Sequence, residues 1–313
     1  MRFSIVLPVY NVERHIERCL FSLQGQTYTD FEMIFVDDCG SDQSIKIIEK
    51  HAESEPRIRI VRNKQNLGTY HARRAGVFSA KGDYIVFVDP DDELELETLS
   101  ILSRKIESDL DAIFFGSRRV PAPKRWQAKP SVPLLYGNEE KQELVLKIIN
   151  CKKMSKGTEG KVFARIFLEK VYKDLKVSLE EKLIYGEDKL LFFGVMVRLS
   201  KAVSISDELY IYHKNNSSIT VINTNELLID KVQQLQNLIL HIGDLSMDSH
   251  DKNQLKEFIF NDLEVDILKL RLTASVEFQE SLNIYKDILN MSKSIKDFIK
   301  LMCFIITIGK VKL

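Results

Sequence analysis

The chain has no CxxC pair, no apolar run long enough to cross a bilayer and no excess of either charge. Its four cysteines, Cys19, Cys39, Cys151 and Cys303, are scattered, which excludes a disulfide scaffold or thiolate zinc site and suits a reducing cytosol. The longest apolar stretch, 301–308, falls far short of the ~18 residues a spanning helix needs. The opening MRFSIVLPVYNVERH has an apolar run broken by Pro8 and followed by charge, so it does not read as a secretory leader. The 45 basic and 45 acidic side chains of the 313 residues cancel, and this balance argues against wrapping nucleic acid. Two phosphate-binding patterns are also missing, GxxxxGK[ST] and a strand-following GxGxxG. P-loop ATPases and dinucleotide oxidoreductases therefore lose their main sequence support.

What is present is the composition of a globular protein, 44% hydrophobic and 29% charged, long enough for about two units. Runs rich in Ile, Val and Phe predict strands at 3–9, 32–37, 58–61, 84–89 and 111–116. Helical spacing predicts helices between them: one over 12–23 capped by Asn11, one after Asp42, one at 69–80 and one at 93–107. This alternation predicts an α/β fold, a mostly parallel sheet with helices on both faces. Residues 117–135 interrupt the pattern with four of the seven prolines and the only tryptophan, Trp126. Five basic residues, Arg118, Arg119, Lys124, Arg125 and Lys129, also make it a basic surface segment. Between 136 and 222 helices are expected near 139–150, 161–170 and 187–199, and strands near 201–205 and 208–213. From Asn225 the chain reads as helical, at 225–242, 250–272, 276–290 and 294–307. The expected organisation is a domain over 1–222, in halves 1–116 and 117–222, followed by an α-helical extension over 223–313.

In an open α/β sheet, ligands bind beyond the carboxyl ends of the strands. The predicted strands end in Pro8-Val9-Tyr10-Asn11, in Asp37-Asp38, in the stretch from Asn63 to Gly68, and in Asp89-Pro90-Asp91-Asp92. Carboxylates gathered on one edge repel one another unless a cation, donors or solvent offset them. A divalent metal does this, and oxygen donors suit Mg²⁺ or Mn²⁺.

Five segments, IVLPVYNV (5–12), FVDDCGSD (35–42), NLGTYHARRAG (66–76), YIVFVDPDD (84–92) and GEDKLLFF (186–193), resemble the ordered motif series of family 2 glycosyltransferases of GT-A fold. The likeness covers roughly residues 1–220. With YHKNNSSIT after the GED motif, it is most similar to that of bacterial lipooligosaccharide β-1,3-galactosyltransferases. The resemblance implies an inverting, metal-dependent hexosyltransferase using a UDP-sugar, galactose preferred. It implies that Tyr10, with Pro8 and Glu13 in the first loop, stacks on the base, and that Asp38 accepts from uracil N3–H. Asn66 would join the nucleotide site, Arg73 the diphosphate or its neighbouring carboxylates, and Asp89 the ribose or a metal-bound water. Asp91 would ligate the metal, with His213 as a second ligand. Asp188 is expected as catalytic base, and Glu187 to orient acceptor hydroxyls or cap the helix.

Each feature has a plainer reading. Asp92 is expected as the cap of a helix beginning near Glu93, and Glu187-Asp188 could be only a favourable charge pair at a helix start. His71 is expected at the surface and the cysteines in or near cores. In residues 283–313, six lysines face two aspartates among Phe, Ile, Leu and Met side chains. That pattern is expected either to lie on an anionic leaflet or to pack on the protein. The implied partners are the donor, a glycolipid or oligosaccharide acceptor and an anionic membrane surface, without nucleic acid. The implied place is the cytoplasmic face of an inner membrane, and homo-oligomer formation stays open. The rival functions are a sugar-nucleotide nucleotidyltransferase, whose usual Gly-rich loop is missing from VLPVYNVE, and a non-catalytic nucleotide-sugar-binding protein.

Overall fold

In the computed structural model, strand β1 (Phe3–Val9) is buried at every position but Pro8. Its continuous apolar run has helices on both sides to cover it, as a central parallel strand requires. Phe3, Ile5, Leu7 and Val9 pack with Ile16, Cys19, Leu20 and Leu23 of α1 (Ile16–Gln24). On the other face Val6 lies so close to Gly76 that a Cβ there would sit 2.3 Å from Val6 Cγ1. The structure describes residues 1–106, 109–122, 130–151, 153–215, 224–244 and 250–274, and within 283–291 the positions 283, 284, 286–288, 290 and 291.

The chain continues through β2 (Phe31–Asp37), α2 (Ser44–Ala52), β3 (Ile58–Arg62), α3 (Thr69–Ser79), β4 (Tyr84–Phe87), β5 (Glu93–Leu94) and α4 (Thr98–Lys105). Then follow β6 (Ala112–Val120), α5 (Lys141–Asn150), β7 (Lys161–Ala164), α6 (Arg165–Leu175), α7 (Glu187–Arg198) and β8 (Ala202–His213). One eight-stranded sheet results, in the order β3-β2-β1-β4-β7-β6-β8-β5. Strands β3, β2, β1 and β4 are mutually parallel, as are β6 and β8, while β7 and β5 run antiparallel to their neighbours.

The chain divides into two compact units, Met1–Asn215 and Asn216–Leu313. In the second, α8 (Asn225–Asp244) buries Leu235, Leu238 and Ile242, and α9 (His250–Ala274) buries Leu255, Ile259 and Leu263. No helix among the described residues is long and apolar enough to cross a membrane.

Several local expectations are corrected. Asn11 does not cap α1, which starts at Ile16; its φ is +52° and its side-chain oxygen accepts from the Ser41 N–H at 2.8 Å. The helix expected over 93–107 begins as strand β5, whose pairing with β8 delays the helix to Thr98. Residues 161–164 form a strand, because β4 and β6 flank them on both sides. The two strands expected near 201–213 are one, made irregular opposite Phe115, Gly116 and Ser117. Cys39 is exposed rather than packed in a core. Most of the basic segment beyond residue 122, and the helix expected at 294–307 with its tail, lie outside the described residues.

Candidate active site

The carboxyl ends of β1, β2 and β4 open on one edge of the sheet, and most of the residues singled out by sequence stand there. Pro8 pairs with Val36 inside the sheet, while Tyr10, just past β1, is 50% exposed. Glu13 bonds to the loop that follows β2. Its carboxylate accepts from the Gln43 N–H at 2.9 Å, while its own N–H donates to Asp42 at 2.8 Å. This exchange ties the first loop to the start of α2.

Asp38 is 3% exposed. One carboxylate oxygen accepts from the Asn63 amide at 2.7 Å and the Leu67 N–H at 2.9 Å, and the other from the Gly68 N–H at 2.8 Å. Through these bonds Asp38 ties down the loop entering α3, where Gly68 holds a φ of +86° that a side chain would strain. Asn66 lies in the same loop with its side-chain oxygen buried and unpartnered among the described residues.

Arg73 on α3 is the hub. It is 6% exposed and donates from one end of its guanidinium to Asp89 at 2.7 Å and from the other to Glu187 at 3.0 Å. Burial alone would lower its pKa, but the two carboxylates raise it. Glu187 is likewise buried, with its carboxylate against Arg73. Through Arg73, the strand end carrying Asp89 is joined to the first turn of α7, where Asp188 follows Glu187. Burial pushes both neighbouring carboxyls up, and Arg73 opposes the rise in each.

The segment after β4 is bound to β8. Asp92 is no helix cap, since it is 1% exposed and accepts from the Tyr210 hydroxyl and the His213 N–H, each at 2.7 Å. The Tyr210 oxygen in turn accepts from the Asp89 N–H at 3.2 Å. Asp91 accepts from the Asn215 amide at 2.9 Å, and its carbonyl accepts from Arg18. His213 places Nε2 2.5 Å from Glu93, which leaves Nδ1 as the nitrogen a cation could take. Burial, then the nearby Asp89, raises the Asp91 carboxyl and pushes Asp92 up to about 8.

A divalent cation suits this chemistry. The cluster Asp89, Asp91, Asp92 and Glu93 holds more negative charge than Arg73 and Arg18 cancel, and its donors are hard oxygens. Among the described residues no group of three or more His, Cys, Asp or Glu is arranged to enclose a metal alone. A cation here would need donors from a ligand. His71, expected at the surface, is 2% exposed and meets the Glu181 carbonyl through Nε2 at 2.8 Å. Sequence reasoning gave no role to Tyr210 or Asn215; Tyr210 is marked only by its place in β8, and Asn215 by its place in the YHKNNSSIT segment.

Residues 4–167 match the family model described as Glycosyl transferase family 2. Over 236 residues the chain is 27% identical to a protein of Bacillus subtilis described as "Uncharacterized glycosyltransferase EpsJ", covering 74% of this chain and 66% of that one. It is 28% identical over 230 residues to the poly(ribitol-phosphate) beta-N-acetylglucosaminyltransferase TarS of Staphylococcus aureus, covering 68% of this chain and 35% of the relative. The chain thus spans just under two thirds to about a third of these relatives' lengths. Among solved structures, S. aureus TarS 1–349 in complex with UDP-GlcNAc matches with a TM-score of 0.68 at 20% identity, covering 93% of this chain and 81% of that one. The mannosyltransferase PcManGT of Pyrobaculum calidifontis, in complex with GDP-Man and Mn²⁺, matches with a TM-score of 0.56 at 14% identity, covering 99% and 81%.

Proposed function

The chain belongs to glycosyltransferase family 2 and has the GT-A fold, and from that premise we propose that it moves a hexose from a UDP-sugar to a hydroxyl of a lipid-linked glycan, with inversion. The observation that supports this reading is the Arg73 bridge, which joins Asp89 at the acidic strand edge to Glu187, the neighbour of Asp188. In an inverting transfer the acceptor oxygen attacks the anomeric carbon opposite the leaving UDP, and a carboxylate on the acceptor side takes its proton. Asp188 fills that role, and its partial burial makes it a better base than an exposed aspartate. Glu187 acts through Arg73 by fixing the first turn of α7. Tyr10, exposed past β1, offers its ring to the uracil, while Asp38 shapes the loop beneath it and Asn66 keeps an unpartnered oxygen there.

A divalent cation would be held by Asp91 with His213 as its second protein donor, and would supply Lewis-acid stabilisation of the diphosphate. Galactose is the donor suggested by the motif likeness. N-acetylglucosamine is the second reading, favoured by the TarS similarity. Incubating the protein with Mn²⁺ and a panel of UDP-sugars, and following UDP release with and without octyl glycoside acceptors, tests the reading. UDP release from at least one donor, lost on chelation, is expected; no release from any donor overturns it. The proposed place is the cytoplasmic face of an inner membrane, reached through the basic tail 294–313. Deleting that tail should release the protein from anionic vesicles in flotation, and retained binding removes this part of the proposal.

A further inference from the structure

Lys161 is 3% exposed at the first position of β7, in the middle of the sheet. A buried ammonium needs partners for all its N–H groups. Here it donates to the carbonyls of Ser155 at 3.0 Å, Gly157 at 2.5 Å and Glu159 at 3.1 Å. Three donors meet three acceptors, so the group has no proton to spare for catalysis, and its effect is on the loop it gathers. The loop is held from the other side as well, where the Phe115 N–H donates to the Gly160 carbonyl at 2.8 Å. Gly160 has a φ of +68°, and a Cβ on it would lie 2.5 Å from the Phe115 carbonyl oxygen. Neither the turn nor the approach tolerates a side chain.

Because β7 runs antiparallel to β4, its start lies at the same sheet edge as Asp89. The nucleotide-facing strand ends, β1 and β2, are on the other side of β4. A narrow cavity of ≈ 10 Å³ is lined by Gly157, Thr158 and Lys161 together with Asp188 and Phe192. The Glu159 carboxylate folds back over the loop, so that a Cβ on Gly157 would sit 2.1 Å from its Oε2. Among the described residues Glu159 forms no ion pair.

We propose that Lys161 is a positioning residue whose ammonium clamps the 155–160 loop as the acceptor-side wall of the site, presenting the Glu159 carboxylate beside Asp188 to a hydroxyl of the acceptor sugar. The inference rests on the transferase reading above. The loop's position across β4 from the nucleotide strands separates acceptor from donor, and a carboxylate without an ion pair among the described residues is a suitable acceptor of sugar hydroxyl hydrogen bonds.

The test compares the parent with Lys161→Met and Glu159→Gln in the full chain. It measures UDP binding by calorimetry with Mn²⁺, UDP-sugar hydrolysis without acceptor, and transfer to octyl glycosides. In Lys161→Met, UDP binding and hydrolysis should stay within about 2-fold of the parent or rise as water enters, while transfer falls at least about 20-fold. Glu159→Gln keeps the clamp and should raise the acceptor KM about 10-fold with kcat nearly unchanged. Loss of UDP binding or hydrolysis in step with transfer, in a Lys161→Met protein with parental circular dichroism, would overturn the proposal. So would an unchanged acceptor KM in Glu159→Gln. A parent that neither binds UDP nor hydrolyses any UDP-sugar fails the transferase reading instead, a distinguishable result.

Discussion

Glu32 and Asp92 are equally buried, 2% and 1% exposed, at opposite edges of the same sheet, yet their carboxyls move in opposite directions. At the amino edge, burial pulls Glu32 up, but the Ser4 hydroxyl at 2.7 Å, the Arg59 guanidinium at 2.5 Å and the Lys81 N–H at 2.7 Å outweigh it and hold the group below its ordinary value. At the carboxyl edge, burial and Asp89 push Asp92 up to about 8 despite two hydrogen bonds. The donors at the first edge match the charge, whereas those at the second do not. A buried charge compensated from within belongs to the scaffold; one left in excess is arranged for a ligand that brings the opposite sign.

The largest separation of the two edges should come from Asp188→Asn. Removing the base is expected to lower transfer by about 10³-fold, roughly 4 kcal/mol of barrier, while UDP binding and thermal stability stay near parental values. Steady-state kinetics alongside calorimetry checks this, and substantial retained turnover removes Asp188 as base. Arg73→Met attacks the point where scaffold and site meet. It leaves Asp89 and Glu187 without their shared cation, and a cost of about 3 kcal/mol in urea unfolding is expected. A cost close to that of a surface substitution would mean the bridge is not what joins α7 to the strand edge.

Glu32→Gln should do the reverse of Asp188→Asn. It strips the charge that Arg59 pairs with, and about 2 kcal/mol of stability should be lost, with acceptor and donor KM unchanged. The lowered pKa fixes the sign of its pH dependence. The contribution of Glu32 is complete above the unfolded carboxylate value and is lost as pH falls through the lower folded value, so the variant should lack that acid-side loss. A kinetic defect in this variant would break the division between edges.

Much of this division could be read in the linear sequence, because β-rich apolar runs end in acidic residues and a parallel sheet aligns those ends. What could not be read depends on distant partners. Arg73 and Glu187 are 114 positions apart, and Asp92 and Tyr210 are 118 apart, so no local pattern separates a hub or an anchor from a cap. The motif likeness marks Asp38 as a ligand, but no local pattern shows that three donors from its own fold also meet its oxygens. Lys161–Ala164 read as helix because the helical run of α6 follows directly, while its strand pairing comes from β4 and β6, remote in sequence.

The narrowest test concerns Asp92 itself, through a slope against pH. With its folded pKa raised to about 8, this group keeps a proton that the unfolded chain has already lost between about pH 4 and 8. Without divalent cation, stability should therefore fall as pH rises through that window and level off above it. Asparagine imitates the protonated form: its oxygen can accept from the His213 N–H, and its amide can donate to the Tyr210 hydroxyl. Asp92→Asn should flatten that part of the profile, read as the slope of melting temperature against pH, and leave the acid limb due to Glu32 in place. Mn²⁺ should act where the mutation acts, raising the melting temperature more at pH 8 than at pH 6, because the cation competes with the protons that the crowded carboxyls retain. A parental slope between pH 4 and 8 in Asp92→Asn would show that excess charge at this edge is not concentrated on Asp92, and would shift the contrast with Glu32 to the cluster as a whole.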